Sequence, residues 1–322
     1  MRPALSVLLL TTLLGVGQGL FFAVYCVQVL ERFALRAGPQ DARFYPLAAA
    51  LALAFLAAGL AASFFHLGRP ERAWRAAAMW RTSWLAREVI ALPAFMGCVA
   101  LYGLAHWLGW RAHEVLPGVD VTLALGAAAT LLCFALFVCT GMIYACLKFL
   151  PEWHTPLTVL NYALFGCVSG LMLATAYAAF LEPGLVRYLA GWTAGFTLVA
   201  LLSRGAALVR NARLKRRSTL QTAIGVKHPR IRQTAQGFMG GSFNTREFFH
   251  GRSDAAVRSV KWAFLLLVFP APLALLAAGL ATPSAGLLAA AFVVQYLGLL
   301  AERWFFFAQA DHPQNLYYQR IS

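Results

Sequence analysis

Charged residues are scarce in this chain of 322: Asp, Glu, Lys and Arg together make up 12% of it, beside 61% hydrophobic residues. Soluble domains carry roughly 25% charged and about 45–50% apolar residues, so a soluble globular enzyme is excluded. Acidic groups are scarcer still, 12 against 27 Lys and Arg. In a soluble protein that excess would suggest nucleic acid, but membrane proteins collect basic residues in their cytoplasmic loops beside anionic lipid. Membrane lipid is therefore an expected partner and nucleic acid is not. Cysteine is also sparse, and the six present (Cys26, Cys98, Cys133, Cys139, Cys146 and Cys167) form no C-x-x-C pair. All six are expected inside helices as packing residues, with no iron–sulfur cluster and no metal site in the chain. The alternating ten-residue segments of a membrane β-barrel are missing.

What the chain has instead is long apolar runs. A transmembrane helix needs roughly 20 mostly apolar residues to cross about 30 Å of hydrocarbon. Eight segments meet this: Leu5 to Leu30, Tyr45 to Phe65, Ser83 to Leu108, Val121 to Leu147, Leu157 to Phe180, Leu185 to Leu208, Val260 to Leu280 and Ser284 to Phe307. The expected fold is an all-α integral membrane bundle of eight transmembrane helices, a single domain over residues 1–322. The first segment lacks a small-residue cleavage site and is too long for the apolar core of a signal peptide, so it reads as a retained helix.

With eight spans, both termini and the loops after the second, fourth and sixth segments share one side. That side carries 22 of the 27 basic residues, against Arg32, Arg36, Arg43, Arg111 and Arg187 on the other. The positive-inside rule then places the termini in the cytoplasm, in a bacterial inner membrane. The connection at 209–259 is the one sizeable extramembrane piece, a length usual for functional or disordered loops. Its first half is basic from Arg210 to Arg217 and suits anionic head groups. Its second half carries Phe238, Phe243, Phe248 and Phe249 among glycines and is expected to pack on the bundle or a partner.

Ionisable residues at membrane depth are functional candidates by default. The strongest cluster straddles the second and third segments: His66-Leu-Gly-Arg69-Pro70, then Trp84-Leu-Ala-Arg87-Glu88. His66 closes the second segment, and Glu88 lies about one turn into the third, four residues after Trp84 and on the same face. Imidazole titrates near neutrality, and carboxyl groups in general titrate closer to neutrality when taken out of water. Such a pair suits a reaction that moves protons with electrons, as quinone chemistry does. The structural reading beside it is that Arg69 or Arg87 pairs with Glu88 and Trp84 is an interfacial anchor. Glu302 and Arg303 are expected to pair with each other. Haem needs a facing pair of axial ligands inside the bilayer, and the seven histidines offer none. No haem is expected, so electrons would pass directly between quinone and a partner's cofactor.

The polar signatures resemble the membrane anchor subunit of the dimethyl sulfoxide reductase family (DmsC type). They are Phe65-His66-Leu-Gly-Arg69-Pro70 with Glu88; Pro151-Glu-Trp153-His154-Thr155-Pro156-Leu-Thr158; Ser218 to Pro229 and Gly237 to Gly251 in the long connection; Ala301-Glu302-Arg303-Trp304; and His312-Pro-Gln-Asn-Leu-Tyr-Tyr. The likeness runs along nearly the whole chain, and also extends to anchors of cytoplasm-facing sulfite-oxidising molybdoenzymes. It implies a haem-free anchor that binds menaquinone or ubiquinone and holds a molybdopterin catalytic subunit through a four-cluster iron–sulfur subunit. It also implies that His66 and Glu88 act at the quinol site; Arg69, Trp84 and Arg87 join them by proximity. That family usually has its termini outside, whereas the charge count here puts them inside. Two other readings compete: a purely structural anchor without its own quinone site, and an ion-translocating bundle. The latter would show discontinuous helices and charges near the midplane, whereas here the charges crowd the segment ends.

Overall fold

The structure, a computed structural model, describes residues 1–215, 218–232 and 247–318. Among the described residues eight helical spans are long and apolar enough to cross a membrane, and the chain is a multi-pass membrane protein. They are α1 (Leu5–Arg32), α2 (Phe44–Phe64), α3 (Trp84–Trp107), α4 (Val121–Ala145), α5 (Pro156–Leu181), α6 (Pro183–Ala212), the pair α8 (Asp254–Val268) and α9 (Pro270–Ala281), and α10 (Ala285–Ala308). Short helices α7 (Leu220–Ile224) and α11 (Gln314–Tyr318) lie outside the bundle, and a small antiparallel hairpin pairs Glu114 with Asp120.

The helix starts follow from local chemistry. Ser83, Asp120, Thr155, Ser253 and Ser284 each accept a first-turn N–H at the head of α3, α4, α5, α8 and α10. Prolines open α5, α6 and α9, where a missing N–H costs nothing.

Helices α1 and α5 form the axis of the bundle. Their most apolar stretches are 72% and 78% buried, against 33–39% for the other six spans. Gly15 and Gly19 of α1 meet Gly166 and Gly170 of α5, and a Cβ at Gly19 would collide with the Gly166 carbonyl. With no hydrophobic drive between helices in lipid, such close backbone approach is what holds them together.

Three expectations change. The seventh span is discontinuous: Pro270 cannot donate to the helix and breaks it after Val268. The buried Gln295 of α10 donates to the Val268 carbonyl at 3.3 Å and satisfies the broken end. Cys146 lies outside its helix and exposed, because α4 stops at Ala145 where the chain folds back to bury Leu150. Arg204, counted above with the loop charges, sits inside α6 with 2% exposure. Removing it and the buried Arg303 from the count still leaves a large basic excess on the same side.

That side, called here the loop face, is tied together by hydrogen bonds. The Met1 amine donates to the carbonyls of Phe307 and Ala310 at 3.1 and 2.8 Å, and its burial lowers its pKa to about 6. Arg210 and Asn211 reach the carbonyls of Pro151 and Glu152. Phe249 is buried, and Phe248 stacks on His312 with ring centroids 3.7 Å apart. The second half of the long connection therefore packs on the bundle at these two residues; Phe238 and Phe243 lie outside the described residues.

Candidate functional site

Helix α2 ends at Phe64, so His66 lies two residues beyond it in an exposed turn, its backbone N–H held by the Ser63 carbonyl at 3.2 Å. Partial desolvation lowers the pKa of its imidazole below the ordinary value. Arg69 follows at the head of a 3₁₀ helix, Pro70–Met79, that has no buried residue. The Pro70 ring fixes the backbone that starts this helix.

Ser83 then caps α3, and Arg87 staples the preceding turn. Its guanidinium donates to the carbonyls of Trp80 and Arg81, both at 2.9 Å, and covers the Trp84 ring at 4.1 Å. Arg87 and Trp84 are thus brought together. Arg87 turns its guanidinium to the turn and, among the described residues, forms no ion pair with Glu88.

Glu88 points the other way. It is 8% exposed, and its Oε1 accepts a hydrogen bond from the Thr140 hydroxyl of α4 at 2.5 Å. Among the described residues no hydrogen bond joins Glu88 to His66 or Arg69. The sequence cluster divides into an outer part, His66 with Arg69, Trp84 and Arg87, and an inner carboxyl one turn below them.

Behind Thr140 lies a polar layer that sequence reasoning misses. Thr140 lines a chamber among α1, α4, α5 and α10, whose other polar walls include Thr11, Gln18, Tyr162, Ser169 and Arg303. The Arg303 guanidinium lies 3.7 Å over the Tyr162 ring. Glu302 pairs with Arg303 at 3.6 Å as expected, but its nearer partner is Arg204 at 2.7 Å, and all three are buried. A second chamber, lined by Asn161, Tyr162, Arg204, Glu302 and Arg303, continues to Glu152 and Asn211 at the loop face. The signal that could reveal the layer is Arg204 itself, a cation inside a predicted span.

The motif Trp153-His154-Thr155-Pro156-Leu157-Thr158, part of which lines the second chamber, positions this layer. Trp153 donates to the Phe306 carbonyl at 3.0 Å and Thr158 to the Trp153 carbonyl at 2.8 Å, which fixes the α4–α5 turn against α10. His154 Nδ1 lies 2.6 Å from the Ala145 carbonyl at the end of α4.

A buried carboxyl near the head of α3, following a connection that exposes Phe65, Trp74 and Trp80, can exchange protons with an amphiphile arriving from the bilayer. Two known proteins or families are similar to this chain along most of its length. The family model described as DMSO reductase anchor subunit (DmsC) matches residues 2–307. The C subunit of sulfite dehydrogenase from Allochromatium vinosum is 55% identical over 326 residues, with 100% of both chains covered.

Proposed function

The chain belongs to the DMSO reductase anchor subunit (DmsC) family, and from that premise we propose that it binds a membrane quinone and passes electrons between it and a partner. The partners are an iron–sulfur subunit, of four clusters by family resemblance, and the molybdopterin subunit of an oxidoreductase. The quinone is menaquinone or ubiquinone. The full-length likeness to a sulfite dehydrogenase subunit favours a sulfite dehydrogenase-like complex over a dimethyl sulfoxide reductase-like one.

The observation that carries this reading is Glu88, a carboxyl buried about one turn into α3 and held by Thr140. The residues fit a quinone: an inner proton acceptor, an outer imidazole kept neutral at pH 7, and an exposed aromatic rim on the connection between α2 and α3. A quinone supplies two-electron chemistry coupled to two protons. The chain's own part is to orient the head group, to take or give protons at the Glu88 carboxyl and the His66 ring, and to hold the site near the partner. Trp84, with Arg87 over its ring, walls the outer side, and Arg69 offers a cation at the mouth. The basic loop face is read as cytoplasmic, in the bacterial inner membrane.

The test is binding of a fluorescent quinol analogue to membranes containing the assembled complex. Glu88→Gln is expected to weaken binding at least tenfold, and His66→Ala to weaken it less. The exposure of His66 favours the second reading, a purely structural anchor, and unchanged quinone-linked turnover in both variants would establish it.

A further inference from the structure

The polar layer behind Glu88 has no part in holding the outer residues, yet it is built at some cost. Three buried charges, the Tyr162 phenol and several hydroxyls occupy the space between α1, α4, α5, α6 and α10 where apolar side chains would pack at no penalty. Two of its buried atoms, Asn161 Oδ1 and Arg204 Nε, have no hydrogen-bond partner among the described residues. Buried polar atoms without protein partners in a polar space are satisfied by water. Each chamber has room for about one or two waters, given the ~10–15 Å³ that one needs. Neither takes a quinone ring.

The chambers share a wall, since Tyr162 and Arg303 line both. They also have two defined ends. At one, the Thr140 hydroxyl lines the first chamber and donates to Glu88. At the other, Glu152 and Asn211 line the second chamber beside the turn and helix end that form the loop face. Towards the opposite membrane face the way is shut: Gln18 is bound to the Cys133 carbonyl, and Phe21, Phe95 and Leu136, all 2% exposed or less, fill the core beyond it.

We propose that these two chambers carry water and form the route by which Glu88 exchanges its proton with the loop face. The inference rests on Glu88 serving the quinone site. When a proton reaches the carboxylate from the substrate side, rotation of the Thr140 hydroxyl lets the first water accept it. The waters pass it between Tyr162 and Arg303, past Asn161, and release one proton at Glu152 and Asn211, which leaves Glu88 as the carboxylate again. In the reducing direction every transfer reverses. No electron moves along this path, and because it opens on the side where Glu88 lies, no proton crosses the membrane. Tyr162 and Asn161 act on the reaction by holding the waters and do not touch the quinone.

The experiment uses the assembled complex and compares wild type with Tyr162→Phe and Asn161→Leu. Three quantities are read: quinol-analogue affinity, quinone-linked turnover in H₂O and D₂O, and turnover with a soluble dye that bypasses the anchor. The expected result is affinity within twofold of wild type, unchanged dye turnover, a fall in quinone-linked turnover of at least tenfold, and a larger solvent isotope effect. Unchanged quinone-linked turnover in both variants would overturn the route. So would loss of analogue affinity in step with turnover, because the residues would then hold the quinone itself. If Asn161→Leu prevents assembly, Tyr162→Phe decides alone, since it removes one hydroxyl and leaves the ring under Arg303. Glu88→Gln keeps the two claims apart: unchanged affinity and turnover there would remove the quinone reading itself, whatever the other variants do.

Discussion

Arg204 of α6 and Glu302 of α10 meet at 2.7 Å with 3% and 1% of their side chains exposed, while Arg303 stands 3.6 Å from the same carboxylate. One anion thus holds two cations inside the bundle. Removing one partner of a buried pair leaves charge without compensation, at a cost of about 3–5 kcal/mol. Glu302→Ala is expected to lower the thermal midpoint of the purified protein sharply, or to prevent its accumulation in the membrane. The double variant Arg204→Met, Glu302→Gln keeps the net charge of the cluster and should recover more than half of the loss. A single variant as stable as wild type would show that the cluster is hydrated enough to make the pairing dispensable.

What can be read from the sequence follows from range. The eight spans are legible because hydrophobic length is a local property, and each expected span lies within a few residues of its helix. Glu88 stands out because a carboxyl in an apolar run is locally anomalous. Thr140 does not, since a threonine in a membrane helix is ordinary until Glu88 is seen 2.5 Å away, 52 residues earlier in the chain. Arg204 and the break in the seventh span are local features too, but each is masked by its neighbours. Arg204 precedes a run of basic residues that hides its depth, and the Phe269-Pro270 step lies within an apolar run that reads as continuous. The paired Gly15, Gly19 and Gly166, Gly170 spacings are also in plain view, though only the fold reveals that they face each other.

That crossing gives a sharp contrast. A Cβ at Gly19 would strike the backbone of Gly166 and Gly170, which no side-chain rotation relieves. Gly19→Val should separate α1 from α5 and cost several kcal/mol, on the scale of the overpacking penalties of about 1–3 kcal/mol or more seen in tight cores. Gly191→Ala of α6, where nothing lies within 4 Å, should be neutral or mildly stabilising by helix propensity. Thermal unfolding in detergent separates the two. Equal midpoints would mean that the central helices adjust where the backbone contact says they cannot.

Gln295 has a smaller effect. Its amide donates to the Val268 carbonyl, left without a helical donor because residue 272 is a proline, and interhelical hydrogen bonds within membranes contribute about 0.6 kcal/mol on average, up to about 1.7. Gln295→Leu should therefore destabilise by about 1 kcal/mol and leave assembly with partner subunits intact. A loss several times larger would mean that the break in the seventh span depends on this one bond.

His66 supplies the pH dependence. Its imidazole pKa lies below the ordinary 6.5 because the turn partly desolvates it. A base with a lowered pKa favours the neutral form, so whatever its neutral ring contributes is complete above the ordinary value and fades as pH falls through the lowered one. At pH 7 the ring is neutral and can accept a proton; in acid it is already charged and cannot. Quinol-analogue affinity in the assembled complex is therefore expected to be flat from pH 8 to 7 and to decline below the ordinary imidazole range. His66→Gln should abolish that decline while retaining the plateau to within several-fold. A decline that persists in His66→Gln would assign the titration to another group and leave the exposed imidazole outside the site.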